Sequence, residues 1–474
     1  MKRSLAYVLL IMAFALLTLN FSLLGLGDRA DKHLQDLFNT YAGSLVYGAP
    51  QEDITVLLLT DEALNTHQRG HWPASYDFHG KVLNSLLHQK PRAVFIDLLW
   101  LSQRPAAIAD APRDGDYLIK VLQRYDRARI PVYLAWAPAV EQNWPELKGL
   151  VRHVGTEVYI DPVDFVSRTY PAAVTTDRPT PNAGLQTPAF LIAQEVRPRL
   201  FPQKQTEPMD IFWGTSPNKK NDWMKTKEHD ADLVTAAFDG FSGVKTPVPF
   251  NTTLYVRDLL KQMGETKEEV REQAAVLMKD KIVLYGANLT GVNDLVFTAT
   301  RDILPGVYLH AMALDNLLRW GSEYKSARGK GLLANDMWHA SWNLLVVLPV
   351  AMLLAFFHRR PGHDMPGCPK ADVADQRPGR KASANTLRIW LKRVLGKLCI
   401  MLALVLWFTA WGAVEFIYFN ISAGTVAGYL AFLTLGFFLD RIGTVDWLID
   451  DAYTWFREPC SRRVRARRRH QPRA

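Results

Sequence analysis

The sequence predicts an α/β extracytoplasmic domain with a mostly parallel sheet, plus four transmembrane α-helices. Three observations carry that prediction. From Asp28 to Asp336, short apolar β-rich runs alternate with runs of helical period, the order that gives parallel strands joined by crossover helices. Outside that stretch, four apolar runs reach membrane length. The excess of basic over acidic residues lies beside those runs and not within the α/β part.

Taken in order, the chain opens on Met1-Lys2-Arg3, and Ser4–Gly27 then gives 24 residues without a charge. A cleaved signal peptide also starts this way. The run is long for one, and Leu24-Gly25-Leu26-Gly27 is no A-x-A-like site, so residues 4–27 are read as an uncleaved transmembrane anchor. Ile54–Leu59 is a buried strand that ends at Thr60-Asp61-Glu62. After Trp72-Pro73, Ser75 is placed to cap a helix through Gln89, with Phe78, Val82, Leu86 and Leu87 on one face. Ala93–Ile96 is a second strand ending at Asp97, Tyr117–Leu122 lies on a helix, and Ile130–Trp136 is a third strand. Beyond Pro138 the pattern loosens: Val158–Ile160 and Ile211–Trp213 read as short strands, Pro188–Val196 as a helix, and Arg257–Met278 as a helix charged on one side.

The domain closes on Asp280–Arg319. Ile282–Tyr285 is an apolar run ending on Gly286, the pattern of a strand covered on both faces. A loop from Ala287 to Val296 carries Asn288, Thr290, Asn293 and Asp294. After Pro305-Gly306, Val307, Ala311, Leu314, Leu317 and Leu318 recur at helical spacing, so a helix is expected to pack back on the sheet.

Residues 28–336 are therefore read as one domain outside the cytoplasm. Residues 337–357 follow as a second span, of which Trp338–Phe357 is uncharged. Next come a basic loop at 358–397, a third span at 398–419 with Glu415 near its far end, and a fourth at 421–439. The loop holds ten Lys/Arg against three Asp, and Arg457–Ala474 eight Arg against one Glu, a surplus greater than the net +9 of the whole chain. By the positive-inside rule these segments and both termini face the cytoplasm. The tail at 440–474 sets Val445, Leu448, Ile449, Ala452 and Phe456 on one helical face before its arginines, as a helix lying on a membrane surface does. A nucleic-acid-binding protein would carry its basic residues on a folded face, so no nucleic-acid partner is expected. Cys368, Cys399 and Cys460 all lie outside residues 28–336, so that domain depends on its core and not on disulfides.

The motifs resemble a known family. "DKIVLYGANLTGVNDLVFT" followed by "LPGVYLHAMALDNLL" is similar to the closing motif of the CHASE type 2 domain, the second class of cyclase/histidine-kinase-associated sensory extracellular domains. "DITVLLLTDEAL", "WPASYDFHGKVLNSLL" and "PRAVFIDLLW" resemble its opening segments in order. "IDPVDFVSR" resembles its D-x-D-G-V-V-R-like turn, with Val163 where Asp is usual and Phe165 where Gly is usual. The resemblance implies an extracytoplasmic sensory domain followed by three spans and an output enzyme. Only 35 residues follow Leu439, too few for such an enzyme.

Asp61, Asp97 and Asp294 each follow a strand, so a parallel sheet gathers them at its carboxyl edge, where α/β folds hold ligands. His310, on the closing helix, is placed to face the same crevice, and Asn288 lies on the loop beside it. These five are the candidate ligand-binding residues. Against that stands the ordinary role of such acids, capping helices and satisfying loop amides. Gly286-x-x-x-x-Gly291 lacks the Lys-Ser/Thr of a phosphate loop. No catalytic residue, metal ligand or cofactor is assigned, and the chain is not expected to be an enzyme. The expected function is a membrane sensor that signals through a separate partner. The alternatives are an accessory or scaffold subunit of an envelope complex and, third, an extracytoplasmic hydrolase. Expected partners are the lipid bilayer, an unidentified extracytoplasmic ligand, a cytoplasmic or membrane partner protein, and a second copy in a homodimer.

Overall fold

The computed structural model describes residues 47–102, 113–137, 144–174, 184–221, 249–264 and 275–326, except positions 157, 216, 217, 219, 293 and 301, together with Lys32, Gln35, Asp36, Asn39, Thr40 and Trp407. The strands are β1 (Ile54–Thr60), β2 (Ala93–Ile96), β3 (Val132–Trp136), β4 (Arg152–Gly155), β5 (Thr169–Tyr170), β6 (Met209–Asp210), β7 (Thr252–Tyr255), β8 (Ile282–Asn288), β9 (Leu295–Phe297) and β10 (Ile303–Pro305). The helices are α1 (Asp61–Gln68), α2 (Tyr76–His88), α3 (Asp116–Arg127), α4 (Pro188–Val196), α5 (Val256–Gly264) and α6 (Val307–Trp320).

Six strands form one sheet in the order β4-β3-β2-β8-β1-β7, and every pair in it is parallel. β8 and β1 are adjacent interior strands, and both are continuously buried until their last residue. This is why Ile54–Leu59 and Ile282–Tyr285 are unbroken apolar runs: helices cover both faces, so alternation has no solvent side to report. Alternation sorts the side chains between two layers instead. Leu57, Leu59, Val94, Ile96, Val283 and Tyr285 share a core with α2, α3 and α5. On the other face α6 packs against β1, β8 and α4. Ser75 caps α2 as its sequence predicts, its Oγ accepting from the Phe78 N–H at 3.2 Å.

Several expectations change in the structure. The strand at 282 runs through Gly286 to Asn288. Gly286 is not a stop but a point of close approach, because a Cβ there would lie 2.5 Å from Val307 Cβ. Helix α6 is buried on every side from Val307 to Leu318, with Asp315 and Asn316 included, and not on one stripe. Asp315 accepts from Tyr47 Oη at 2.6 Å and Gln51 N at 2.8 Å, which ties the segment before β1 to α6. Residues 158–160 form no strand; the strand is β4, whose Arg152-His153-Val154-Gly155 has a single strong apolar residue. Residues 211–213 are buried but unladdered: the Phe212 N–H goes to the Asn316 side chain at 2.9 Å, and Ile211 N donates to Arg168 O at 2.8 Å. The helix expected over Arg257–Met278 begins as α5, and its middle lies outside the described residues.

Among the described residues no helix is long and apolar enough to cross a membrane. Apart from Trp407, the runs read as spans (4–27, 337–357, 398–419 and 421–439), the basic loop and the tail lie outside the described residues.

Candidate functional site

The carboxyl edge of the central strands brings together three of the five predicted residues. Asp97 is the first residue past β2, and its N–H donates to Tyr285 O at 2.8 Å, extending the pairing with β8 by one step. Its carboxyl faces the α6 side. His310 sits one turn into α6, and its Nε2 is 3.8 Å from Asp97 Oδ1. The Phe95 ring lies at 80° to the imidazole with centroids 5.3 Å apart.

Asp294 enters from the loop after β8. Its carbonyl accepts from Gly306 N at 2.9 Å, and a Cβ on Gly306 would fall 2.4 Å from Asp294 Oδ1. The glycine is therefore required by the carboxyl seated at the start of α6. A helix N-terminus favours an anion there, while burial works against it. Burial raises the Asp294 carboxyl above its usual range. It raises that of Asp97 well above, and the charge of Asp294 adds to the effect. Two carboxyls so placed titrate as a pair, with a neutral form held by one and favoured by the other.

His310 is buried, and desolvation pushes its imidazole down to about 3. Its Nδ1 is 2.7 Å from Tyr170 Oη, a residue the sequence reading missed. The same hydroxyl receives the Ala189 N–H at 3.4 Å. The other ring nitrogen, Nε2, is on the Asp97 side. No motif announces Tyr170: it stands on a two-residue strand, paired with β6, in the stretch where periodicity fades. A second His–Tyr pair, His79 Nδ1 to Tyr285 Oη at 2.8 Å, lies on the other face of the sheet next to the Asp97 backbone.

Asp61 has the ordinary role instead. Its Oδ2 accepts from Thr290 N at 3.0 Å and Thr290 Oγ1 at 2.7 Å, pinning the loop after β8. Asn288 ends β8 opposite Thr60 and is exposed. Among the described residues no three His, Cys, Asp or Glu side chains come together as metal ligands do. An open groove lined by His88, Lys90, Arg124, Arg127 and Asp280 lies where α2 and α3 end. Those helix termini present carbonyls, which offset the cations.

The chemistry on offer at the acid pair is hydrogen bonding. Two carboxyls held toward their neutral form beside a buried neutral imidazole can both donate and accept hydrogen bonds. No curated protein and no solved structure matches the chain. The CHASE2 domain family model matches residues 8–356, running through the first predicted span, the whole α/β unit and nearly all of the second predicted span. The chain belongs to the CHASE2 domain family, a family of extracytoplasmic sensory domains.

Proposed function

We propose that this protein is an integral membrane sensor whose α/β unit lies outside the cytoplasm and binds a small polar ligand at the Asp97–Asp294–His310 crevice. The observation that carries this reading is the meeting of those side chains at the carboxyl edge of a parallel sheet, in a chain of a sensory-domain family. Apolar runs of membrane length flank the unit, and basic stretches beside them favour cytoplasmic loops. On this reading a separate partner receives the signal at the basic cytoplasmic stretches beside the spans. The crevice is read as a binding site and not a catalytic one. His310 is neutral with Nδ1 engaged by Tyr170, and burial holds both acids toward protonation, so no group there is poised as a base.

The test is a small-molecule screen of the full chain in nanodiscs, read as thermal stabilisation of wild type and of Asp97→Asn. Compounds that stabilise wild type and lose that effect in Asp97→Asn support the reading. Equal stabilisation of both places the ligand elsewhere. A stable co-purifying protein with no ligand effect moves the assignment to an accessory subunit of an envelope complex.

A further inference from the structure

The 159–166 turn is built inside out. Asp161 is buried and accepts the Val163 N–H at 2.9 Å, while the exposed Asp164 is paired, its Oδ2 2.6 Å from Arg168 Nη2. Arg168 then forks onto Asp36, Nε to Oδ1 at 2.8 Å and Nη2 to Oδ2 at 2.6 Å. The apolar groups face outward. Tyr159, Ile160, Val163 and Phe165 are 45–61% exposed. Phe165 also holds φ at +61°, a conformation open to glycine without steric cost and strained for an aromatic residue. No interior packing rewards that strain.

The turn continues into the β9–β10 ribbon. Val166 bridges Phe297, and Ser167 N donates to Phe297 O at 2.9 Å. Ile303 lies opposite Phe297 across the ribbon, and alternation leaves Leu295, Phe297 and Ile303 44–49% exposed while Val296 turns in. The two elements together bring seven exposed apolar side chains to adjoining backbone, the kind of surface that marks a contact site.

Both ends of the 36–327 unit emerge beside it. Asp36 sits in the Arg168 fork. Lys325 O accepts from Asp210 N at 2.9 Å, and Asp210 pairs with Thr169, the neighbour of Arg168. Gly27, the last residue of the first apolar run, is 36 − 27 = 9 positions before Asp36, and Trp338 is 338 − 326 = 12 positions after Ser326. Fully extended, those tethers reach no more than about 30 and about 40 Å.

We propose that this surface docks on the lipid interface of the membrane's outer face, a proposal that rests on the membrane reading above. Tyrosine and phenylalanine beside branched aliphatics are the side chains that partition at such an interface. The short tethers keep them beside it. Burial of Asp161 and the pairing of Asp164 with Arg168 weaken the charges that would resist it.

The test uses the full chain with Cys368, Cys399 and Cys460 changed to Ser. Phe165→Cys or Phe297→Cys carries an environment-sensitive nitrobenzoxadiazole label, and Tyr117→Cys on α3 serves as an aqueous control. The protein is reconstituted in vesicles of phosphatidylethanolamine and phosphatidylglycerol. The expected result is a blue-shifted emission at 165 and 297, loss of iodide quenching, and quenching by lipids spin-labelled near the glycerol; the label at 117 shows the reverse. Iodide protection without lipid quenching, lost in nanodiscs holding one copy, would replace the bilayer by a second copy of the chain. Full iodide access at 165 and 297 in vesicle-bound protein would overturn the proposal while leaving the sensor reading standing. Failure of the chain to float with vesicles would overturn both.

Discussion

Acidification tests the account of His310. In the folded protein burial holds this imidazole at about 3, against 6.5 for an ordinary histidine. The folded-state value is depressed, so the neutral form is the one that folds. The group therefore costs nothing above pH 6.5, and stability is lost as pH falls through the interval down to about 3. At pH 5 the unfolded chain gains roughly 1.5 pH units of protonation that the folded state forgoes, about 2 kcal/mol. For a unit the size of Asp36–Ala327 that is a melting-temperature change of roughly 3 °C. The raised acids Asp97 and Asp294 act in the opposite sense: their contribution is present at low pH and is lost as pH rises through their folded values. They remain in a His310→Gln variant, so the difference between variant and wild type isolates the imidazole. Glutamine keeps a hydrogen-bonding group for Tyr170 and does not titrate. The measurement is the melting temperature of the full chain in nanodiscs at about pH 7.5 and about pH 5, a window that brackets the ordinary histidine value. Wild type is expected to lose about 2 kcal/mol more than the variant on acidification. Equal losses would mean that His310 is already charged or is solvated, and the account of a neutral buried imidazole would fail.

Two further substitutions probe the joints of the fold. Gly286→Ala drives a Cβ to within 2.5 Å of Val307, and since β8 and α6 are packed on both sides it is expected to cost about 1–3 kcal/mol by denaturant titration; an unchanged midpoint would show that α6 has room to shift. Arg168→Leu strands the buried Asp36 and Asp161 carboxylates and is expected to cost about 3–5 kcal/mol, read in the same assay; Asp36→Asn/Arg168→Leu should recover part of that loss.

The reach of the sequence followed from what each element needed. β1, β2, β3, α2 and α4 were legible because their signals are local: a continuous apolar run, a Ser75 cap, a Pro188 helix start. β4 was not, because Arg152-His153-Val154-Gly155 gains its place from pairing with β3 and not from its own composition. The stretch 211–213 misled for the converse reason: its apolar side chains are buried, but its backbone bonds go to Arg168 and Asn316 and not to a strand. At the candidate site, the strand-end position of Asp97 and Asp294 was readable from the parallel order. What separates Asp97 from Asp61 was not, since it depends on which loop folds back: Thr290 reaches Asp61, whereas Gly306 admits Asp294. Tyr170 was invisible because its partner is 140 residues away in sequence.

The central claim is that the α/β unit is a sensor held outside the cytoplasm between membrane spans. The most direct measurement is a set of fusions to a reporter active only in the cytoplasm, joined after Arg360, at Ala474, or after Gly240. The account predicts activity at the first two positions and silence at the third. Activity after Gly240 with silence after Arg360 would contradict it.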